Sequence, residues 1–143
     1  MKRKYMPTIA QLIDRLSIAT LKSVKIPENK KEYEKESHEI MHDLNLLYVL
    51  KKIKNPGQFL RAVQVNAIAN EIIWQNESKA RQGGAEQDHL LKFTHSVNGV
   101  RSQAMNVISH LTGERKDLKI DCLAADICKK QGYDFGGIWE KKK

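Results

Sequence analysis

The pattern with the most specific chemistry is a pair of histidines one helical turn apart. Residues 38–42 read H-E-x-x-H, the arrangement in which two histidines bind zinc and the glutamate acts as a base. When Ile40 is placed at the centre of the apolar stripe of its helix, His38 and His42 fall on the opposite side. A third ligand would have to come from elsewhere, and Glu71 is a candidate. We therefore expect both histidines on a charged surface, with a zinc site as the weaker alternative.

A second pattern places polar side chains on the same helical face as apolar ones. In the helix predicted for residues 57–82, the recurring polar residues are Asn66, Asn70, Glu77 and Arg81, at intervals of four, seven and four. Such groups must find partners, because a buried polar atom without a hydrogen bond costs stability. Glu77 and Arg81 also have the i, i+4 spacing of a helical ion pair.

Two interpretations of this polar stripe stay open. The first is a buried polar network that braces neighbouring helices. The second is a pocket in which Arg81, Arg101 and Lys22 hold a small anionic ligand that the asparagines orient. The candidate ligand-binding residues are Asp14, Lys22, Asn66, Asn70, Trp74, Glu77, Arg81, Asn98 and Arg101.

Helix start and stop signals divide the chain into five predicted helices. Thr8 and Gln11 have capping-box spacing, and Asn55-Pro56-Gly57 is a strong turn signal. The predicted helices cover residues 8–25, 28–53, 57–82, 86–112 and, for a shorter fifth helix, 115–131. Because no segment alternates as a strand does, the predicted fold is all-α. We expect a single domain with tails at 1–6 and 133–143, built as an antiparallel up-down bundle of four long helices plus the C-terminal helix.

Apolar spacing supports these helices. The fourth carries a coiled-coil-like seam of Leu90, Phe93, Val97, Val100, Ala104, Val107 and Leu111. The second carries Tyr33, Ser37, Ile40, Leu44 and Leu47, widened by Met41 and Tyr48, and the first carries Ile9, Leu12, Ile13, Leu16 and Ala19. We expect these stripes to face the core.

Charge and cysteine content narrow the class of protein. The 143-residue chain has a formal net charge of +8, but residues 2–4 and 141–143 supply most of it. Basic tails favour weak, non-specific contacts with nucleic acid rather than sequence reading. Cys122 and Cys128 are expected to be reduced thiols of a cytoplasmic protein. The sequence contains no apolar run that predicts a membrane span and no signal-peptide pattern.

Residues 9–22, which read I-A-Q-L-I-D-R-L-S-I-A-T-L-K, resemble the I-G-E-L-I-D-(K/R)-L-(S/T)-I-x-x-(I/L)-K opening of a family of helical bacterial and phage proteins. The family has no established activity, and related domains are found beside lipopolysaccharide glycosyltransferases. Its longer members carry a pattern like L-W-x-x-E-D-x-A-R and then N-x-x-R, with these blocks and the opening in the other order. Residues 73–81 and 98–101 are similar to it, although Ser78 stands where the pattern has Asp.

That resemblance implies a helical fold and a surface-polysaccharide or phage setting. It picks out Asp14, Arg15, Lys22, Trp74, Glu77, Arg81, Asn98 and Arg101. Together with the polar stripe, it favours a non-catalytic helical binding or assembly protein, a homo-oligomer that holds a small anionic ligand. One alternative is a small enzyme for a phosphorylated or nucleotide-linked substrate, with Glu77 or Asp14 as acid or base. Another is nucleic-acid binding through the basic tails. No motif for a cofactor is present in the sequence.

Overall fold

The computed structural model describes residues 5–47 and 49–115 of the chain. Every regular element within these ranges is helical, which confirms the predicted all-α class. The elements in chain order are α1 (Ile9–Lys25), a 3-10 turn (Pro27–Asn29), α2 (Lys30–Leu46), α3 (Val49–Lys52), α4 (Pro56–Arg81) and α5 (Gln87–Thr112). The helix predicted for 115–131, apart from its first residue, lies outside the described residues, as do the tail 133–143 and most of the tail 1–6.

Helix α1 begins at the predicted capping box. Thr8 Oγ1 accepts a hydrogen bond from the Gln11 backbone amide at 3.2 Å, and Gln11 Oε1 accepts one from the Thr8 amide at 2.9 Å. These bonds satisfy two amides that the first helical turn leaves without partners. Ile26 leaves the helical conformation at φ −127° and ψ 76°, because the residue before Pro27 is sterically driven out of it.

The prediction of one helix over residues 28–53 is wrong. Helix α2 ends at Leu46, and a separate short helix, α3, begins at Val49. Leu47 and Ile53 both pack against the same apolar cluster. On one continuous helix these two side chains would point about 120° apart. The break therefore allows both residues to contact the core.

Helices α4 and α5 form a long antiparallel hairpin. The Asn55 side chain accepts from the Gln58 amide at 3.1 Å, and the proline of the predicted turn occupies the first turn of α4. Gly83 and Gly84 connect the helices at φ 75° and 126°, values that favour glycine. Gly113 ends α5 at φ 68°.

Two apolar clusters hold the helices together. The first joins three helices and contains Ile9, Ala10 and Ile13 of α1, Phe59 and Ala62 of α4, and Met105, Ile108 and Leu111 of α5. The second is the α4–α5 seam, made of Val65, Ala69, Val97, Val100 and Ala104. The α5 side of that seam follows the predicted coiled-coil spacing, so this part of the sequence prediction is confirmed.

Helix α2 packs on the outer side of α1, and its contacts with α4 are far fewer. Arg15 pairs with Glu36, and the Lys22 ammonium lies 5.7 Å from the Tyr33 ring centroid, so the two helices are antiparallel. Only the last part of α2 reaches the three-helix cluster, through Leu44 and its cap residue Leu47. Met41, which was predicted to widen the buried stripe, is 40% exposed, because none of the helices described between residues 5 and 115 covers its side of α2.

The two ends of the described chain meet. Glu114 Oε2 accepts a hydrogen bond from the Ile9 amide at 2.6 Å, which places a carboxylate at the positive end of α1. Arg115 Nη2 donates to the Met6 carbonyl oxygen at 3.0 Å, and its guanidinium lies 4.1 Å from the Tyr5 ring centroid. We call this arrangement the end clasp. It fixes where the chain leaves the described fold.

Candidate functional site

Four of the nine candidate residues meet in one hydrogen-bonded group between α1, α4 and α5. Asp14 Oδ1 accepts from Asn66 Nδ2 at 2.9 Å and from Asn70 Nδ2 at 3.1 Å. Arg101 Nη1 donates to Asn70 Oδ1 at 3.3 Å, and Ser17 Oγ accepts from Asn70 Nδ2 at 3.2 Å. We call these five residues the polar network.

The polar network is buried and supplies most of its own partners. Asn66 is 0% and Asn70 is 4% exposed, so neither amide can rely on water. Arg101 Nε lies 3.9 Å from Asp14 Oδ1, which is an ion-pair distance without a hydrogen bond. Because hydrogen bonds to charged groups contribute roughly 1.5–3 kcal/mol each, the network ties α1 firmly to the α4–α5 hairpin.

Charge within the polar network argues against an anion site there. The carboxylate of Asp14 lies beside the guanidinium of Arg101, the only candidate arginine that the structure brings to this place. A phosphate or carboxylate ligand would meet that negative charge at close range. The geometry favours the interpretation of a structural brace.

The other five candidates lie outside the polar network. Lys22 faces Tyr33 of α2, Trp74 and Asn98 are half-buried, and Glu77 and Arg81 are exposed. Glu77 lies seven residues beyond Asn70 and on nearly the same side of α4. It is exposed. The last residue of α1, Lys25, places its ammonium 2.9 Å from Glu71 Oε1. Beyond that contact, α1 no longer covers this side of α4.

The two histidines of the H-E-x-x-H motif are both exposed, on the side expected from the helical phase. His38 Nδ1 lies 2.6 Å from the Glu34 carbonyl oxygen of its own helix. Glu71, the candidate third ligand, is engaged by Lys25 on another face of the fold. Within residues 5–47 and 49–115, no group of three or more His, Cys, Asp or Glu side chains is arranged to hold a metal ion.

An open apolar groove is the feature that sequence reasoning missed. It runs along α1 between α4 on one side and the end of α2 with α3 on the other, and its volume is about 990 Å³. Its lining includes Ile13, Leu16 and Val24 of α1, Leu50 of α3, and Val63 and Ala67 of α4. The groove lies where a closed four-helix arrangement would pack α2 against α4.

Large apolar side chains are exposed in and beside the groove. Leu50 is 84% and Val24 is 72% exposed, and Leu60 of α4 is 60% exposed close to the α4 wall. The signal that could have revealed this surface is the spacing of Leu60, Val63 and Ala67, a second apolar stripe on a helix that also faces α5. Both stripes would be interpreted as core from sequence alone.

The groove has a charged rim at one end. Glu71 Oε1 accepts from Lys25 Nζ at 2.9 Å and from Gln75 Nε2 at 2.7 Å. The hydrogen bond from Lys25, reinforced by that from Gln75, lowers the pKa of Glu71 below its ordinary value of 4.5. This pair joins α1 to α4 where the groove ends.

One buried amide was also missed. Asn76 of α4 is 7% exposed, and its Nδ2 has no hydrogen-bond partner in the part of the chain that the structure describes. It lies seven residues after Ala69, at the same position of the α4–α5 seam. A polar residue at one such position favours a single register of the two helices at a cost in stability.

None of the helices in the described ranges is long and apolar enough to span a lipid bilayer. Comparison with models of protein families, with curated proteins and with solved structures gave no match to this chain. The resemblance of residues 9–22 to the helical bacterial and phage family therefore stays a prediction. The functional proposal below therefore rests on the geometry of the apolar groove and of the polar network.

Proposed function

We propose that this protein is a non-catalytic binding module that holds an amphipathic α-helix in the apolar groove. The observation that carries the proposal is the groove itself, an open apolar surface between helices that leaves Leu50 and Val24 largely in water. Soluble monomeric proteins rarely expose large contiguous apolar patches, and such patches usually mark sites where a partner or ligand binds.

The dimensions of the groove suit a helix of about three turns. Its α1 wall extends from Ile13 to Lys25 and its α4 wall from Phe59 to Glu71. Each wall covers twelve helical steps, which is roughly 18 Å. An amphipathic helix docks in such a groove through residues at i, i+3, i+4 and i+7.

The chemistry of the lining suits the same occupant. Aliphatic side chains dominate the lining. Its polar members are two small hydroxyl residues of α1, Ser17 and Thr20, together with Asn45 and Lys51 on the side of α2 and α3 and the Lys25–Glu71 pair at one end. A helix satisfies its own backbone hydrogen bonds, so it can bury its apolar face here without leaving polar groups unpaired.

The predicted four-helix arrangement fits this proposal, because an added helix would contact the faces of α2 and α4 that do not meet. Self-association, the small anionic ligand, the alternative enzyme and the nucleic-acid-binding tails stay predictions that the groove does not require.

A helical peptide titration tests the proposal. The probe is a synthetic three-heptad peptide with leucine at the a and d positions, followed by methyl NMR of the full chain up to about 1 mM peptide. We expect shifts at Leu50, Val63 and Ala67, and at least about tenfold weaker binding by Ala67→Glu, equivalent to about 1.4 kcal/mol. The matched control is Ser78→Glu on the exposed end of α4. Absence of shifts at the groove, or equal binding by both variants, would refute the proposal.

A further inference from the structure

We infer that the helix held by the apolar groove is an acidic one, whose apolar face is flanked by carboxylates on the side of Lys51. This inference rests on the proposed function, since it names the chemistry of the partner for the same surface. It comes from the charges that line and surround the groove. Electrostatic complementarity of this kind selects among partners that offer similar apolar faces.

The charged residues of the groove lining are two lysines and one glutamate. Lys25 Nζ lies 2.9 Å from Glu71 Oε1, so these two residues form a pair that is close to neutral as a unit. Gln75 Nε2 donates to the same glutamate oxygen at 2.7 Å and helps to hold the carboxylate in that pair. The remaining charge is that of Lys51 on α3, which makes the lining positive overall.

The chain around Lys51 adds to this positive charge. Residues 44–70, which supply the α3 wall and the α4 wall up to Glu71, contain three lysines and one arginine and no aspartate or glutamate. Lys54 and Arg61 are exposed, and they lie within a few residues of the exposed leucines Leu50 and Leu60 in the sequence. A surface of one sign beside apolar walls raises the local concentration of oppositely charged partners.

Acidic residues of the neighbouring helices belong to other contacts. Helix α1 carries one, Asp14, which is part of the polar network. On α2, Asp43 lies about 100° and 160° around the helix from Leu44 and Asn45, which line the groove. Glu34 pairs with a lysine of its own helix, one turn earlier. None of these three carboxylates lines the groove, so carboxylates that complement its positive charge are expected on the partner.

The shape of the groove favours a helix over an anionic membrane as the acidic partner. Ile13 and Phe59 line the groove and are only 7% and 6% exposed, so they lie at its floor. A flat lipid surface would contact the exposed side chains of Leu50 and Leu60 but would not reach that floor. A helix about 10 Å wide can enter an open groove and contact both.

Two helical peptides provide the test on the full chain. Both carry leucine at the a and d positions over three heptads, and they have either glutamate or lysine at the e and g positions that flank the apolar face. Methyl NMR titration at about 20 mM salt gives the dissociation constant of each peptide. We expect the glutamate peptide to bind at least about fivefold more tightly, with the ratio falling towards one at about 500 mM salt, because exposed charges are screened.

Charge-reversal variants separate the groove from the overall charge of the protein, which is +8 and attracts any acidic peptide. Lys51→Glu should remove or reverse the preference for the glutamate peptide. Lys79→Glu, on the exposed end of α4, changes the net charge by the same amount and should leave the preference above about threefold. Both substitutions alter an exposed side chain, so both variants should fold.

The outcomes also separate the inference from the proposed function. Equal affinity for the two peptides, or equal loss of the preference in both variants, would overturn the inference and leave the groove as a site for helices of any charge. Binding to phosphatidylcholine vesicles with about 30% phosphatidylserine, abolished by Lys51→Glu and without a preference between peptides, would overturn it in favour of a membrane surface. Absence of groove shifts with either peptide would overturn the proposed function and the inference together.

Discussion

The polar network and the apolar groove lie on two sides of the same contact between α1 and α4. In the polar network, polar groups whose burial without partners would cost stability are hydrogen-bonded to one another. Asp14 accepts from both Asn66 and Asn70, and Arg101 donates to Asn70. In the groove, Val24 and Leu50 remain largely exposed. Ser17 belongs to both, since it accepts from Asn70 and lines the groove.

This difference shows that polar residues at a helix contact are weak evidence for a ligand site. The side chains of the polar network hydrogen-bond mainly to one another, and their contribution is the stability and alignment of three helices. The groove is lined mainly by aliphatic residues that carry no functional motif, yet it is the open cavity into which a ligand could fit. Function in this protein is therefore expected on its apolar side.

The largest expected effect is the loss of the central carboxylate. Asp14→Ala removes the acceptor shared by the Asn66 and Asn70 amides and the ion-pair partner of the Arg101 guanidinium, and should lower the free energy of unfolding by about 3 kcal/mol. Urea denaturation followed by circular dichroism measures this change. Glu77→Ala, on the exposed part of α4, is the control and should change stability by less than about 0.5 kcal/mol. Similar losses for the two variants would mean that the network is not a brace.

A substitution in the groove should affect ligand binding rather than stability. Leu50→Ser removes an exposed apolar side chain, so we expect a stability change within about 0.5 kcal/mol but roughly tenfold weaker binding of the model helix, about 1.4 kcal/mol. Parallel urea denaturation and NMR titration measure the two quantities. A large loss of stability would show that Leu50 is already part of a packed core.

Coupling within the polar network gives a smaller effect. In a double-mutant cycle of Asp14→Asn and Arg101→Met, we expect a coupling free energy of about 1 kcal/mol, because the pair is partly buried at 3.9 Å. Asp14→Asn with Arg81→Met is the control cycle, since Arg81 is exposed at the end of α4. Equal coupling in both cycles would contradict the network geometry.

The rim of the groove should give the smallest effect, which depends on pH. The pKa of Glu71 is lowered chiefly by its hydrogen bond from Lys25, so its stabilisation is fully present above pH 4.5 and is lost as the pH falls through the lowered pKa. The Glu71 side chain is 35% exposed, and solvent screening keeps the contribution below about 1 kcal/mol. Denaturation of the wild type and Glu71→Gln between pH 2 and 7 should show a difference that shrinks towards low pH. A difference that grows on acidification would contradict this assignment.

Much of the fold was predictable because its signals are local. The capping box at Thr8, the turn at Asn55 and the seam of α5 each depend on residues close in sequence. The break after Leu46 was not predictable, because it arises from Leu47 and Ile53 contacting a core built by distant helices.

The candidate site was predictable only in part. The sequence identified Asp14, Asn66, Asn70 and Arg101, whose polarity conflicts with their apolar surroundings. It also included Glu77 and Arg81. The spacing of residues gives the face of α4 on which they lie, but it does not tell how far along that face α1 packs. The groove was missed because an apolar stripe has the same pattern whether or not another helix covers it.

The end clasp closes the described part of the chain into a loop. Glu114 and Arg115, just after α5, are held against Ile9 and Met6 at the start of α1. The first and last long helices therefore restrain each other at their ends, and neither can fray without breaking a contact of the other. A substitution at Glu114 should for this reason loosen the first turn of α1, although the two residues are 105 positions apart in the sequence.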